Sequence, residues 1–395
     1  MKFAVTLNNK QISNSTNKPQ VLLVANTSWY LYNFRLPLIH ELNSNGYKVA
    51  LAAPHDSYTK RLISAGVTVH PWLLSRSSIN PISEIRALID LARIYRREKP
   101  ELVHHFTIKA CLYGTIAAKI TRVYRVVNSV TGLGHVFLGN RARNILLRKF
   151  LKPIYKAVFM AKRGAVVFQN ADDQERLIQL GITDPSKTLL IKGSGVDINH
   201  FSPISDSSGR FQEPLQILFP SRIIREKGII ELLEACQSLW KDGFNLELLI
   251  AGDLDSGNPS SLSTSEIELI NQNPRICTLG HINDMRSIYA TSDLVVLPSW
   301  REGLSKSLIE AAAMERPIIT TDVPGCRDVI DHGQSGLLIP LKNERALELA
   351  IKLMFNNPEL ARRFGKAARR KAIDQFQVSL VNASTIKQYD LMFER

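Results

Sequence analysis

Two glutamates eight positions apart form the most informative side-chain pattern in the sequence. The run PSWREGLSKSLIEAAAM follows a short apolar strand and places Glu302 in a loop and Glu310 in the helical pattern that comes next. Carboxylates accept hydrogen bonds in pairs, so Glu310 suits a ribose diol and Glu302 suits sugar hydroxyls. The backbone N–H groups of a helix N-terminus can bind a phosphate, and the residues expected there are Gly303, Leu304, Ser305 and Lys306. The alternative is a helix-start glutamate followed by an ordinary solvated one.

Two cations follow another predicted strand in a similar position. The apolar run Leu215–Pro220 leads directly into SRIIREKG, which places Arg222 and Lys227 in the loop at the carboxyl end of the strand. Open parallel sheets bind their ligands at this edge. The planar fork of Arg and the point charge of Lys can together hold a diphosphate. Taken alone, two surface charges near a helix start explain the pattern equally well.

Apolar strands alternate with helical segments along the whole chain, and this alternation predicts the scaffold. The predicted strands are Gln20–Asn26, Tyr47–Ala53, Leu102–His105, Val123–Asn128, Ala165–Phe168, Leu215–Pro220, Leu246–Ala251, Arg275–Leu279, Leu294–Leu297 and Pro317–Thr320, and three of the predicted helices are Asn33–Asn43, Ile82–Glu98 and Gly228–Lys241. The βαβ rhythm and the length of 395 residues predict an α/β protein with two Rossmann-like, doubly wound domains facing a cleft. The loop Lys192–Pro214, rich in Gly, Ser, Asp and Pro, is the predicted linker. We therefore expect a first domain over residues 1–195 and a second over 210–377.

The net charge of +14 is concentrated in the first half of the chain. Residues 1–190 contain 27 Lys and Arg against 10 Asp and Glu, and no acidic residue lies between Glu101 and Asp172. Within this stretch, Arg141–Arg163 has helical periodicity, with an apolar side opposite a basic one. Its cations include Arg148, Lys149, Lys152 and Lys156. We predict that this segment rests on an anionic membrane; the alternative is that its apolar side packs on the sheet and its basic side faces water.

Other classes of protein and site are disfavoured by the sequence. No apolar run approaches the roughly 18 residues of a spanning helix, and Phe3–Leu7 is too short for the core of a signal peptide, so we expect a cytoplasmic protein. The four scattered cysteines suggest neither disulfides nor zinc and are expected to be reduced core residues. Asp253 and Asp255 form a DxD, but a turn-like composition follows them, so we expect no metal or other cofactor. Nucleic-acid binding is disfavoured because no aromatic RNA-recognition motif accompanies the basic residues.

These residues together resemble glycosyltransferase family 4. The features that carry the resemblance are the two spaced glutamates, the SRxxxxKG setting of the cations, and GSGVD at Gly193–Asp197. The resemblance implies a GT-B fold and metal-independent sugar transfer from a nucleotide diphosphate, with retention at the anomeric carbon. It implies a diphosphate on Arg222 and Lys227, a ribose on Glu310 and a sugar at Glu302, with Ser194 and Gly195 also on the donor side. It further implies that a last helix, about Val378–Phe393, crosses back to the first domain.

The first half is most similar to bacterial family members that extend undecaprenyl-diphosphate-linked sugars. The similar segments are Ser28–Leu42, Ser75–Pro81 and Gly132–Gly134. They imply a lipid-linked saccharide acceptor at the inner face of the cell membrane, with a UDP-linked hexose or N-acetylhexosamine as the expected donor. The predicted acceptor residues are Trp29, Tyr30, Asn33, His105 and Lys109. Ordinary packing is an equally good interpretation for the two aromatic residues and for the histidine at the strand end.

Two loops depart from the family pattern. Many members carry a histidine after the strand that corresponds to Val123–Asn128; here the loop reads VTGLGHVF, with Thr131 near that place and His135 four residues later. His135 is therefore a catalytic candidate, with a structural or exposed histidine as the alternative. The loop NTSWYLYNF lacks the paired glycines of many members. A GT-B epimerase acting on UDP-N-acetylhexosamine, and a non-enzymatic basic binding module, are the other functional hypotheses.

Overall fold

The chain forms two parallel β-sheets, each covered by helices on both faces. The computed structural model describes residues 19–75, 80–133, 142–161, 163–204, 211, 213–255, 257–258 and 260–394, with the backbone alone for residues 142–150. The central strands of both sheets are almost entirely buried, as is usual for parallel sheets. The predicted α/β fold with two doubly wound domains is therefore confirmed.

Among the described residues, the first domain carries seven strands and six helices. The strands are β1 (Gln20–Val24), β2 (Lys48–Ala53), β3 (Thr68–Pro71), β4 (Leu102–Phe106), β5 (Arg125–Val130), β6 (Gly164–Phe168) and β7 (Thr188–Leu190). The helices are α1 (Ser28–Ser44), α2 (Ser57–Ser64), α3 (Pro81–Glu98), α4 (Ile108–Thr121), α5 (Ala142–Phe159) and α6 (Ala171–Gln179). The strand order is β3-β2-β1-β4-β5-β6-β7. Helix α3 packs on α4 and α4 packs on α5, so these three form one layer on the sheet.

The second domain carries six strands. They are β8 (Leu215–Phe219), β9 (Leu246–Ala251), β10 (Ile276–Gly280), β11 (Leu294–Leu297), β12 (Ile318–Thr321) and β13 (Leu337–Ile339), in the order β10-β9-β8-β11-β12-β13. The helices are α7 (Ile229–Lys241), α8 (Thr264–Gln272), α9 (Arg286–Thr291), α10 (Lys306–Ala313), α11 (Glu344–Asn356) and α12 (Pro358–Phe376). In both sheets the chain reverses its winding direction beside a central strand, which is where such folds bind ligands.

The last helix, α13 (Val378–Phe393), packs on the first domain rather than on the second. Asn382 donates a hydrogen bond to Glu41 on α1 (2.8 Å), and Arg125 at the start of β5 donates to the carbonyl oxygen of Met392 (2.7 Å). The hydroxyl of Tyr389 bonds the ring of His104 on β4. Helix α13 thus provides a second connection between the two domains, in addition to the linker.

The positions of the cysteines and the hydropathy of the helices also bear on the expectations from the sequence. Cys111, Cys236 and Cys326 are buried, but Cys277 on β10 is exposed, so the expectation of four core cysteines was wrong for that residue. In the described part of the chain, every helix falls short of the length and hydropathy needed to cross a bilayer.

Candidate active site

Glu302 and Glu310 lie on the loop and helix that follow β11. Helix α10 begins at Lys306, so Glu310 lies slightly more than one turn into it. The loop is fixed by backbone hydrogen bonds: Glu302 donates to Pro324 (3.2 Å) and Ser305 donates to Gly325 (3.1 Å). Gly325 has a φ of 78°, and a Cβ there would lie 2.5 Å from the carbonyl oxygen of Glu302. Only glycine therefore allows this close approach.

Lys227 and Glu302 form an ion pair that is largely shielded from solvent. Their side chains are 17% and 14% exposed. Lys227 ends a single 3-10 turn, and the next residue, Gly228, has a φ of 79° and packs so tightly that a Cβ would lie 2.0 Å from the Pro298 carbonyl oxygen. This contact brings the loop after β8 against the end of β11. A cation and a carboxylate predicted to bind one ligand thus lie in direct contact.

Arg222 pairs with a different carboxylate, Asp255. The Arg222 side chain is 45% exposed, so its charge is accessible from solvent. Asp255 belongs to the DxD and is thereby committed to a cation. Across the described residues there is no group of three or more His, Cys, Asp and Glu side chains placed to hold a metal ion.

Glu310 is held between a phenol and an ammonium group. The hydroxyl of Tyr289 lies 3.4 Å from one carboxylate oxygen, and Lys306 Nζ lies 3.8 Å from the other. The side chain is 12% exposed, and burial raises the pKa of the carboxyl group while Lys306 opposes the rise. Its oxygens retain capacity to accept hydrogen bonds from a diol.

Lys306 connects Glu310 with the first domain. Its Nζ donates a hydrogen bond to the carbonyl oxygen of Asn33 and lies 4.8 Å from the ring centre of Phe34. The predicted acceptor aromatics surround the same ring: Tyr30 stacks on it at 5.0 Å and Trp29 meets it edge-on at 5.4 Å. Trp29 is 39% exposed. The structure therefore brings three predicted acceptor residues next to a predicted donor residue.

Gly303 and Leu304 pack closely on the first domain. A Cβ on Gly303 would lie 2.0 Å from the carbonyl oxygen of Thr131, which follows β5. The carbonyl oxygen of Gly303 accepts a hydrogen bond from Asn170 (2.6 Å), which follows β6. Leu304 packs on Gly193 in the linker. The loop before α10 therefore fits into the carboxyl edge of the first sheet.

Sequence reasoning missed an ion pair beside this contact. Arg301, immediately before Glu302, binds Asp173 in the first turn of α6. Asp173 is fully buried, and burial lowers the pKa of the Arg301 guanidinium. A second cation, Arg327, lies 3.2 Å from Asp172. The signal that could have found these residues is the polar run NADD directly after β6, at the same sheet edge as the other site residues.

Two predicted acceptor residues do not join this group. His105 is fully buried inside the first domain, where its ring nitrogens contact Tyr95 OH (2.8 Å) and Asn128 Oδ1 (2.7 Å). A Cβ on Gly114 would lie 2.4 Å from that ring, so helix α4 covers it completely. Its assignment to the acceptor site is therefore corrected to a packed strand end. Lys109 Nζ is bound to Glu84 on α3 at 3.1 Å, within the first domain.

The remaining predicted residues have mixed placements. Ser194 is half-buried in the linker, and Gly195, with a φ of 72°, packs against the start of α13 at Val378. His135 lies outside the described residues, as do the side chains of Arg148 and Lys149. Lys152 and Lys156 on α5 are exposed. Tyr155, Val158 and Phe159 are buried against the sheet, so α5 packs one side inward and presents cations outward.

The buried histidine gives a prediction for stability against pH. Burial lowers the pKa of His105 from 6.5 to about 4. Between these two pH values, the imidazole is protonated in the unfolded chain and neutral in the folded protein. The part of the free energy of unfolding that depends on a neutral His105, about 3 kcal/mol, is fully present above pH 6.5 and is lost as pH falls towards 4. We expect the Tm of the wild type to fall across that window, and the Tm of His105→Gln to fall less steeply. If Tm changes equally with pH in the wild type and in His105→Gln, His105 is not the group responsible for the loss of stability.

Comparison with known proteins agrees with this geometry. Residues 20–170 match the family model described as glycosyl transferase 4-like, and residues 201–371 match that of glycosyl transferases group 1. The chain is 27% identical over 369 residues to N,N'-diacetylbacillosaminyl-diphospho-undecaprenol alpha-1,3-N-acetylgalactosaminyltransferase of Campylobacter jejuni, covering 91% of this chain and 95% of the relative. It is 25% identical to the Escherichia coli UDP-Gal:alpha-D-GlcNAc-diphosphoundecaprenol alpha-1,3-galactosyltransferase, covering 76% and 78%.

A solved glycosyltransferase from Rickettsia africae shares the fold. It superposes with a TM-score of 0.78 at 21% identity, covering 96% of this chain and all of that one. The two family matches together span both domains and the loops that carry Glu302, Glu310 and Lys227. The chain is therefore a glycosyltransferase of family 4 with the GT-B fold.

Proposed function

We propose that this enzyme transfers a hexose or N-acetylhexosamine from a UDP-linked donor to an undecaprenyl-diphosphate-linked saccharide, with retention at the anomeric carbon. The observation that carries the proposal is the contact of Lys306 with Glu310 on one side and Asn33 on the other. It puts the predicted donor and acceptor groups at one interdomain gap. The names of the two relatives, both transferases acting on diphospho-undecaprenol sugars, support the acceptor class, and the E. coli name supports UDP.

The donor diphosphate is the group that the second domain stabilises. Lys227 and Arg222 bind its oxygens, together with the backbone N–H groups at the start of α10. Glu310 accepts hydrogen bonds from the ribose diol, and Glu302 accepts them from the sugar. When the diphosphate arrives, Lys227 exchanges the Glu302 carboxylate for a phosphate oxygen, and Glu302 turns to sugar hydroxyls. In the free enzyme, the ion pair positions both side chains, and each charge offsets the cost of removing the other from water.

Transfer breaks the bond between the anomeric carbon and the diphosphate oxygen and forms one to the acceptor oxygen. The acceptor hydroxyl attacks from the side that the diphosphate leaves, and its proton passes to the departing phosphate oxygen. Negative charge grows on the β-phosphate as the bond breaks, so Arg222, Lys227 and the helix N-terminus act mainly in the transition state. Neither a metal ion nor a covalent carboxylate intermediate enters this scheme.

The acceptor lipid requires the enzyme to work at the cytoplasmic surface of the membrane. The exposed side of α5, with Lys152 and Lys156, supplies cations for anionic lipid, and Arg148 and Lys149 belong to the same predicted set. Each Lys or Arg near such a surface contributes about 1 kcal/mol. Four contacts would keep the enzyme beside its acceptor.

The test is transfer of radiolabelled sugar into a lipid fraction. The protein is first screened for thermal stabilisation by UDP, GDP and their sugars; a ligand at about 100 times its Kd adds roughly 2.7 kcal/mol. We expect stabilisation by UDP and by a UDP-sugar, and transfer to an undecaprenyl-diphosphate saccharide that persists in EDTA. Activity lost on chelation and restored by manganese would contradict the metal-free scheme. Interconversion of a UDP-N-acetylhexosamine without transfer would identify an epimerase instead.

A further inference from the structure

Helix α3 presents large aliphatic side chains to solvent on one side. Ile82, Ile85 and Ile89 are 63%, 57% and 46% exposed, and Leu73, just before the helix, is 67% exposed. The three isoleucines are spaced by three and four residues, so they form one stripe. The neighbouring Leu73 is joined to it by the hydrogen bond from its backbone N–H to Asp90 (2.9 Å). A stripe of this kind on a folded helix has no role in the core of its own domain.

The same side of α3 is positively charged. Arg86, Arg93 and Arg96 are exposed, and at 100° per residue they fall within about 120° of the isoleucines. None of these three arginines has an ion-pair partner among the residues that the structure describes. The face therefore combines aliphatic side chains with free guanidinium groups.

Two carboxylates of α3, Glu84 and Glu98, are directed away from that face, and Asp90 lies at its margin. Glu84 binds Lys109 and the Tyr113 hydroxyl on α4. Glu98 binds His70 (3.0 Å), and Asp90 accepts from the Leu73 backbone. A helix face that is exposed only to water normally carries both positive and negative side chains. Here the aliphatic groups and the excess of positive charge are together complementary to one surface, an anionic lipid bilayer.

The position of α3 agrees with this partner. Its N-terminal end lies beside Lys109 at the start of α4, directly after the carboxyl end of β4, so the stripe lies near the edge of the cleft. The helix also belongs to the layer that contains α5, whose outer side carries Lys152 and Lys156. Both helices can therefore face one plane.

We propose that the exposed face of α3 inserts Ile82, Ile85 and Ile89 into an anionic membrane, with Arg86, Arg93 and Arg96 at the headgroups. The proposal rests on the proposed function, because a lipid-linked acceptor brings the enzyme to a bilayer. It adds an apolar anchor to the electrostatic contact of α5. Binding that depends on aliphatic insertion persists in part at high salt, whereas binding by charge alone does not.

The test compares two triple variants of the full chain in vesicle co-sedimentation. The first is Ile82→Ser, Ile85→Ser and Ile89→Ser; the matched control is Leu341→Ser, Leu349→Ser and Leu353→Ser, which are comparably exposed leucines of the second domain. With phosphatidylglycerol-containing vesicles, we expect the isoleucine variant to bind about one-hundredfold more weakly than wild type and the control to bind as wild type does. Vesicles of phosphatidylcholine alone should bind all three weakly.

Several outcomes would overturn the proposal. Unchanged vesicle binding by the isoleucine variant, or an equal loss in the leucine control, would remove α3 as the anchor. A wild-type dimer that dissociates in the isoleucine variant would show that a second copy of the chain covers this face. Should the isoleucine variant not fold, Arg86→Gln, Arg93→Gln and Arg96→Gln carry the same test through loss of low-salt binding. Donor stabilisation by UDP-sugars is measured alongside; its absence refutes the proposed function without touching vesicle binding.

Discussion

Lys227→Ala is expected to lower kcat for sugar transfer by about two orders of magnitude, and Arg222→Ala by a similar factor. Each variant removes one preorganised cation from the place where diphosphate charge develops, and removal of such a donor costs about 3 kcal/mol of transition-state stabilisation. Because the effect belongs to the transition state, kcat should fall more than KM rises. Initial rates at saturating donor and acceptor provide the measurement.

The same loop supplies a matched control. Arg225 lies between the two cations in sequence but pairs with Glu266 at 2.6 Å on α8, outside the proposed donor site. Arg225→Ala should retain wild-type turnover. Wild-type turnover in both Lys227→Ala and Arg222→Ala would refute the diphosphate assignment. Lys227→Ala also leaves Glu302 without its cation, with the carboxylate 14% exposed. The corresponding effect of Arg222→Ala is smaller, because the side chain of its partner Asp255 is 22% exposed.

The central strands were predictable from the sequence because they are buried on both faces, whereas the short edge strands β3, β7 and β13 were not predicted. Strands β9 and β11 match the predicted bounds to the residue, since a largely apolar run between polar loops leaves little choice of ends. The start of α1 was placed five residues late. The hydroxyl of Thr27 accepts a hydrogen bond from the Tyr30 N–H and so begins the helix at Ser28, within a polar and aromatic stretch that has no clear period.

The candidate site was predictable where its residues lie in loops and helix starts that follow predicted strands. Glu302, Glu310 and the start of α10 follow from one strand and the helix after it. The ion pair between the domains did not follow, because Asp173 and Arg301 are 128 residues apart in sequence and no local period relates them. His105 shows a related limit. A strand-end rule says which edge of the sheet a residue occupies, while its burial depends on Tyr95 and Gly114 from two different helices.

Gly303→Ala is expected to lower kcat by about two orders of magnitude through the contact between the domains. The added methyl group would lie 2.0 Å from the Thr131 carbonyl oxygen and 2.8 Å from Gln169 Oε1, where it cannot be accommodated. The loop must withdraw from the first sheet, and Arg301, Glu302 and Lys306 withdraw with it. Displacement of reacting groups by about 1 Å is enough to cost a hundredfold.

The effect can be separated from damage to folding or to backbone conformation. Gly303 does not have a positive φ, so alanine introduces no backbone strain of its own. Gly257→Ala is the control, because a Cβ at Gly257 meets nothing within 4 Å, and it should leave kcat and Tm unchanged. UDP binding to Gly303→Ala, measured by thermal stabilisation, should fall much less than kcat, because Lys227 and Glu310 still bind the diphosphate and the ribose within the second domain. If Gly303→Ala turns over at the wild-type rate, transfer does not require the close packing of this loop on Thr131. The two domains must then be further apart in the reactive state than they are in this structure.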